Sequence, residues 1–451
     1  MTVVLNEALI DEVKACIRDK RRQSLKRLID EMMPADVADL IEHIDHDERL
    51  FVIDLLKPEG AGEVLLEIES PVQERILSDL DNKVITEIVQ EMDSDDAADL
   101  VGDLPPARAK QIIETVEEEV SLELQKLLPY PEDTAGGIMA LEYVAVSQDA
   151  TIEEAIDTIR RNREKVSNLY YLFVVDAEQR LAGVVSLKDL VLEPPERKIK
   201  EIMNPEVISA DVHGDQEDVA RLFMKYDLVS IPVVDENHRL VGRITHDDIM
   251  DVIEEEADED IGLMAGVIHQ EIAEESSIKI SRARLPWLIA GLFGGVVAAL
   301  VIRQFESSLE KIIALSFFFP VIMAMGGNTG TQAATVAVRG LATGDISVMH
   351  IGKRIWLEIR VALVNGIICG ILLGLIVGFW LSDYRLGLIV AFSIILIVLN
   401  SGFIGAAVPL LLKRLEIDPA LATGPFVTTS NDIISLFIYL AFVTLFFKLT
   451  V

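Results

Sequence analysis

The spacing of apolar positions changes along the chain and divides it into regions. Over residues 1–130 they fall in short clusters at i, i+3 and i+4, broken every few residues by Pro, Asp or Ser. This spacing predicts short amphipathic helices, each with one buried stripe. Pro and Asp at helix starts suit the first turn and the cap. PADVADL at 34–40 resembles SDDAADL at 94–100, so stacked helical hairpins forming a small solenoid are expected.

From residue 131 the pattern shortens to β-type runs and a stronger repeat appears. LFVVD at 172–176 aligns with IPVVD at 231–235, and LAGVVSLKD at 181–189 with LVGRITHDD at 240–248, at a constant offset of 59 residues. Each unit reads as a helix (151–161 and 216–226), two short strands joined by a turn, and a closing helix. The second closing helix runs to about Met264. It carries Asp248, Asp251, Glu255 and Glu259 at +3 and +4 steps, with Ile249, Ile253, Ala257 and Ile261 as the opposing apolar stripe. Like charges at this spacing destabilise an isolated helix. A bound cation, a basic partner or simple solvation of that face would each answer the repulsion.

The last third turns apolar. Five segments are long enough to cross a bilayer, at about 20 residues per span: 285–302, 312–338, 361–381, 386–412 and 419–447. Gly366, Gly370, Gly374 and Gly378 share one face of the third, a surface for close helix packing. The second holds Pro320 and then GGNTGTQ at 326–332, glycines and amides expected to weaken the helix locally and to offer hard oxygen ligands such as Asn328. Asp432 is the one charge of the fifth span. A carboxylate at mid-membrane costs at least ~2.5 kcal/mol and persists beside water, an ion or a partner. A salt bridge to another span is one reading, but basic residues sit only near span ends, which favours a pore-facing carboxylate. Thr428 and Ser435 extend a polar stripe along the same expected face.

Charge follows the same division. Residues 279–451 hold 13 Lys/Arg against 8 Asp/Glu, leaving 27 basic and 66 acidic residues for 1–278, a net charge of −39 there. Such a region repels nucleic acid and anionic lipid and attracts cations. Lys/Arg placement favours a cytoplasmic N-terminal region, and five spans then put the C-terminus outside, in the plasma (inner) membrane. The first residues are of mixed charge without a long apolar core, so a secretory signal is not expected among them. Cys16 and Cys369 are the only cysteines, so neither a disulfide framework nor a thiolate metal site is expected. An enzyme is not expected either: there is no phosphate-cradling loop and no His/Cys nucleophile pairing, and the seven His are scattered.

The 59-residue repeat resembles a tandem pair of CBS domains, whose Gly-h-h-Ser/Thr-x-x-Asp pattern is present as Gly183, Ser186, Asp189 and as Gly242, Thr245, Asp248. In such domains these Ser/Thr and Asp residues often contact an adenosine ribose, so ATP or another adenine nucleotide is a candidate ligand. The alternative is that they only cap the closing helix. The acidic helical region, the CBS pair, the acidic helix and five spans with GGNTGTQ and DPAL…ND (418–432) together resemble the MgtE family of magnesium channels over essentially the whole chain. The resemblance implies an all-α superhelical N-domain (1–130), α/β CBS units (131–200 and 201–250), an acidic connecting plug helix with its linker (246–278) and an α-helical pore domain of five spans (279–451).

It also implies a homodimer in the lipid bilayer that passes Mg²⁺ inward and is closed by cytosolic Mg²⁺. By motif, Asp432 is then the pore carboxylate with Asn328 nearby, and Asp418 lies at the cytoplasmic mouth. The sensing ligands would be Asp215, Glu217 and Asp227, then Asp248, Asp251, Glu256, Glu259 and Asp260, with Asp95, Asp96 and the Gly136 carbonyl. Gly424 departs from family members that carry an amide side chain there. A proton- or sodium-coupled divalent-cation transporter using Asp432 as its carrier site, and a nucleotide-sensing membrane regulator, are the other readings.

Overall fold

A computed structural model describes residues 6–163, 169–267, 277–343, 346, 351–415, 417–422 and 424–450. Residues 1–5 and the linker stretch 268–276, which entered the expectations above, lie outside the described residues. The chain forms two compact units, Met1–Glu255 and Glu256–Val451.

The first unit begins with ten helices: α1 (Glu7–Arg18), α2 (Arg22–Ile29), α3 (Pro34–Glu42), α4 (His46–Ile53), α5 (Pro58–Leu66), α6 (Ser70–Asp79), α7 (Asn82–Val89), α8 (Ser94–Gly102), α9 (Pro106–Thr115) and α10 (Glu118–Leu127). From α2 onward every helix starts 12 residues after the one before, so the hairpin repeat is 24 residues long. The likeness between 34–40 and 94–100 therefore matches a first helix of one hairpin with a second helix of another. Buried Leu40, Leu65, Val89 and Ile112 mark the continuous core beneath the stack.

The repeat also carries a capping device. Arg49 Nε donates to the Ile41 carbonyl (3.0 Å), Gln73 Nε2 to Leu65 (2.8 Å) and Ser121 Oγ to Ile113 (2.8 Å), each reaching eight residues back. These bonds satisfy carbonyls that the ends of α3, α5 and α9 leave without a helical partner. In the remaining hairpin that position is Ala97, on α8.

Next come two like sheets. β1 (Ala145–Ser147), α11 (Ile152–Arg161), β2 (Tyr171–Val175), β3 (Leu181–Ser186) and α12 (Leu187–Leu192) form the first unit of the repeat. β4 (Ala210–Asp211), α13 (Gln216–Tyr226), β5 (Ser230–Val234), β6 (Leu240–Thr245) and α14 (His246–Ala265) form the second. Each sheet has order β1-β2-β3 or its equivalent, with a parallel first pair and an antiparallel second. The register repeats as the sequence does: Leu172 faces Val185 and Ile231 faces Ile244.

The first strand of each sheet was not among the expected elements. β1 is three residues long and β4 two, too short for an alternating pattern to be read. The two sheets meet through their turns, where Leu181 N donates to His238 O (2.9 Å) and Leu240 N to Gln179 O (3.2 Å).

In the second unit, five helices are long and apolar enough to cross a membrane: α15 (Ser277–Gln304), then, after the short α16 (Glu306–Lys311) and a 3-10 turn, α17 (Phe319–Ala342), α18 (Ile351–Trp380), α19 (Tyr384–Arg414) and, after a second 3-10 turn at Ala420–Ala422, α20 (Gly424–Thr450). α19 is central, lying against α17, α18 and α20, and half of its apolar window is buried, against 6% for peripheral α15.

Two expectations change here. The fifth span begins as a regular helix at Gly424, because Asp418 Oδ1 accepts from Ala420 N (2.8 Å) and holds a turn ahead of it. And α17 is one unbroken helix through GGNTGTQ. Its glycines do not free carbonyls but admit neighbours: a Cβ on Gly326 would strike Ser435 Oγ, and one on Gly330 would strike Asn431 Nδ2. The α18 glycines pack on α19, with Ile395 against Gly366 and the Ala391 carbonyl against Gly370.

Candidate functional site: an acidic cluster and a membrane carboxylate

The N-terminal unit brings α8 and the first half of α14 into electrostatic contact. The start of α8 is anchored to the segment leading into β1. Glu142 accepts from Ser94 N (3.1 Å) and Ser94 Oγ (2.7 Å), and Leu141 N donates to Ser94 Oγ (2.8 Å). The helix therefore receives its cap from the following domain rather than from its own N-cap residue, Asp93. The anchor sets Asp95 and Asp96 opposite Asp248.

Burial and crowding then push these carboxyls up together. Asp95 is buried (7% exposed) and held well above the usual carboxylate range by desolvation, then by Asp248, Asp96 and Glu142. Asp96 is pushed up to about 7 by desolvation, then by Asp248, Asp93, Asp247 and Glu142. Asp99 reaches about 8, first by desolvation and then through Asp96, Glu132, Asp103 and Glu255, although its surface stays open to solvent. Asp103 and Asp251 are raised to about 6, in both cases chiefly by desolvation, with Glu132 next for Asp103 and Glu67 next for Asp251. Asp248 is raised by desolvation despite the bonds it accepts from Thr245 and the nearby Arg243. Among the described residues no group of three Asp, Glu, His or Cys side chains is arranged to hold a metal ion directly.

Of the residues singled out in the sequence, Asp95, Asp96, Asp248 and Asp251 come together. Asp93, Asp99, Asp103, Glu142 and Asp247 join them and were missed. The signal for part of this was present, since Asp96, Asp99 and Asp103 fall at +3 and +4 steps on one face of α8. The partners from 132, 142 and 67 depend on tertiary contact and leave no local trace.

Asp215 and Asp227 do not meet: they cap opposite ends of the 11-residue α13, Asp215 accepting from Glu217 N (2.8 Å) and Asp227 in the left-handed region at φ 51°. Gly136 is buried where its N–H donates to Val212 O (2.9 Å), and a Cβ there would come within 2.8 Å of the same oxygen. Glu256, Glu259 and Asp260 lie on the second half of α14, inside the C-terminal unit. The apolar stripe of that helix is shorter than expected. Ile249 and Val252 are buried, whereas Ala257 and Ile261 are exposed.

The nucleotide candidates act as helix caps. Ser186 Oγ donates to Asp189 Oδ2 (2.6 Å) and accepts from Asp189 N (3.2 Å). Thr245 Oγ1 donates to Asp248 Oδ2 (2.8 Å), and Asp248 also accepts from Thr245 N (2.8 Å).

In the membrane unit, Asp432 stands half-buried on α20 beside the bare face of Gly327. A Cβ there would lie 3.5 Å from Asp432 Oδ1 and 3.4 Å from Thr428 Cγ2. Asn328, the next residue of α17, is exposed on the chain. The stripe drawn through Asp432 splits, because Ser435 is fully buried against Gly326 while Thr428 shares the Gly327 side. Asp418 is exposed. A Cβ on Gly424 would sit 2.8 Å from the Met264 carbonyl, so the end of α14 packs tightly on the start of α20 and leaves no room there for an amide side chain.

The family description of the MgtE divalent cation transporter matches residues 319–442, that of the MgtE intracellular N domain 4–133, and that of the CBS domain 135–196 and 199–255. The magnesium transporter MgtE of Bacillus subtilis (strain 168) is 35% identical over 98% of both chains. The chain belongs to the MgtE family. The MgtE magnesium transporter of Thermus thermophilus is 36% identical over 97% of this chain and 98% of its own. Among solved structures, the cytosolic domain of the Mg²⁺ channel MgtE in complex with ATP is 35% identical with a TM-score of 0.51, covering 54% of this chain and 99% of its own. MgtE proteins are transporters, not enzymes, and all three regions of the MgtE architecture are present here.

Proposed function

We propose that this chain is a magnesium channel that lets Mg²⁺ enter the cytosol down its electrochemical gradient and that closes when cytosolic Mg²⁺ binds the acidic cluster. The observation that carries the gating half is the meeting of α8 with α14, where Asp95 and Asp96 face Asp248 and all three carboxyls are raised. Carboxylates ~4 Å apart repel by about 4 kcal/mol at an effective dielectric of 20. Divalent ions between them reverse the sign of that interaction. Mg²⁺ gives up water reluctantly, and separated carboxylates suit an ion held partly through its water.

Asp251 extends the site along α14, and we assign Glu256, Glu259 and Asp260 the same role further along that helix. Asp215, Glu217, Asp227 and the Gly136 carbonyl are proposed as further sensing ligands, at separate positions. Because α14 ends against α20, a change in its position has a direct route to the span that carries Asp432. That is the two-state element a ligand with differential affinity can bias.

For permeation we propose a homodimer whose two Asp432 carboxylates form an acidic ring for a hydrated cation, with Asn328 nearby and Asp418 at the cytoplasmic mouth. The N-terminal unit is placed in the cytoplasm and the C-terminus outside, in the plasma membrane. The functional division is 1–130, 131–200, 201–250, 246–278 and 279–451. Ser186 and Asp189 fit an adenosine ribose better than Thr245 and Asp248, because Asp248 belongs to the acidic cluster and would repel a triphosphate.

Patch recording of the full-length protein, with cytosolic Mg²⁺ varied, tests both halves. Inward Mg²⁺ current should fall as cytosolic Mg²⁺ rises, and Asp432→Ala should assemble normally yet carry no current. Full current through that variant refutes the pore assignment; open probability that ignores cytosolic Mg²⁺ refutes the sensor.

A further inference from the structure

α20 buries Asn431 completely, one residue before Asp432. Its amide points into the face of Gly330 on α17, where a Cβ would collide with Nδ2 and lie 3.0 Å from Cγ. Neither Oδ1 nor Nδ2 has a hydrogen-bond partner among the described residues. One turn along α20, Ser435 is also fully buried, with Oγ unpartnered and set against the bare face of Gly326. From the other side, a Cβ on Gly405 of α19 would strike the Gly330 carbonyl. On α19 itself, Ser401, one turn before Gly405, is likewise buried and unpartnered at Oγ.

Two helices, α19 and α20, thus converge on the small-residue face of α17, and α20 presents polar groups to it. Unpaired polar groups are costly in an apolar interior, so packing alone does not account for an amide there. A buried amide fixes register where an aliphatic side chain would tolerate sliding. The geometry on α20 shows what register is at stake. Asn431 keys into Gly330, while Thr428 and Asp432 lie against Gly327. Successive side chains point about 100° apart on a helix, so the seating of Asn431 sets the direction of Asp432.

We propose that Asn431 is a positioning residue: seated in the Gly330 niche, it fixes the rotation and height of α20 so that the Asp432 carboxylate is presented correctly to the permeating cation. This rests on the reading of Asp432 as the pore carboxylate. Gly330 is the other half of the device, because any side chain there expels the amide.

The test uses full-length protein in proteoliposomes, with Mg²⁺ influx measured alone and against Ca²⁺, for Asn431→Ala, Gly330→Ala, the double variant and Asp432→Ala. Each single variant should lower influx about tenfold and reduce discrimination between Mg²⁺ and Ca²⁺. The double variant, in which a methyl fills the space left by the amide, should regain influx to within about threefold of wild type, the non-additivity expected of touching residues. Loss of selectivity is the readout that a purely structural defect, measured in parallel by assembly and thermal melting, would not produce.

If the single variants fail to assemble, a double variant that recovers both influx and discrimination between Mg²⁺ and Ca²⁺ supports the proposal, and one that recovers assembly without discrimination, or does not recover, overturns it. Singles with wild-type influx and selectivity, beside an inactive Asp432→Ala, overturn it while leaving the pore reading intact. An active Asp432→Ala removes the pore reading itself.

Discussion

The raised carboxyls of the acidic cluster make a quantitative prediction about protons. Without divalent ions, Asp99 is raised to about 8, Asp96 to about 7, and Asp103 and Asp251 to about 6. At pH 7 these four groups alone hold together about 1.6 protons, and a bound divalent ion requires them ionised, so Mg²⁺ binding should release at least about that number. Neighbouring carboxyls titrate as a set, so the total is the observable rather than any single site. Titration calorimetry of the full-length protein with Mg²⁺, in buffers of different ionisation enthalpy, reads this number as a slope. The slope should fall close to zero by pH 9, where the groups are already ionised. Asp96→Asn with Asp99→Asn should reduce the pH 7 slope by more than half. By linkage, Mg²⁺ affinity should be more than about tenfold weaker at pH 6 than at pH 7. A slope of zero at pH 7, with Mg²⁺ binding intact, would refute the claim that Mg²⁺ binds among these carboxyls.

The same groups fix a stability profile. Because their folded pKa values lie above the unfolded ones, the folded chain holds more protons between about pH 4 and pH 8, so stability falls as pH rises through that window. Thermal melting in EDTA should therefore drop from pH 5 to pH 8, and millimolar Mg²⁺ should flatten the profile; equal profiles with and without Mg²⁺ would count against it. Ser94→Ala removes the Oγ bond to Glu142 and the bond from Leu141 N while keeping the backbone bond from Ser94 N to Glu142, and should cost about 1–2 kcal/mol in the N-terminal unit. It should also raise the Mg²⁺ concentration that protects this unit from limited proteolysis. Arg108 donates to the carbonyls of Leu77, Ser78 and Leu80 and to Asn82 Oδ1. Arg108→Ala should lower the melting temperature at every Mg²⁺ concentration, with no change in the proton slope.

Much of the fold was legible because it repeats. Ten short helices, two sheets at an offset of 59 and five apolar helices each leave periodic traces, and periodicity is what a single sequence reports best. The 12-residue helix step was nonetheless hidden, because its starting residues vary among Arg, Pro, His, Ser, Asn and Glu and only register in space makes them equivalent. The GGNTGTQ stretch was misread for the opposite reason. Glycine signals a weak helix locally, yet here the missing Cβ atoms admit Ser435 and Asn431, a fact that resides in another helix.

The site divides in the same way. Charges that face one another along one helix, such as Asp96, Asp99 and Asp103, could be read from spacing. Those that meet across helices, such as Glu142 with Ser94, could not. What joins the two cases is the position of Ala97. In three of the hairpins the corresponding residue reaches back to cap a neighbouring helix, and the hairpin without such a bond is the one whose helix begins with a cap from Glu142. A helix held by its own repeat is tied to its domain. α8 is held at its start by the next domain instead, and its acidic face is therefore the part of the solenoid whose position depends on how that domain is engaged.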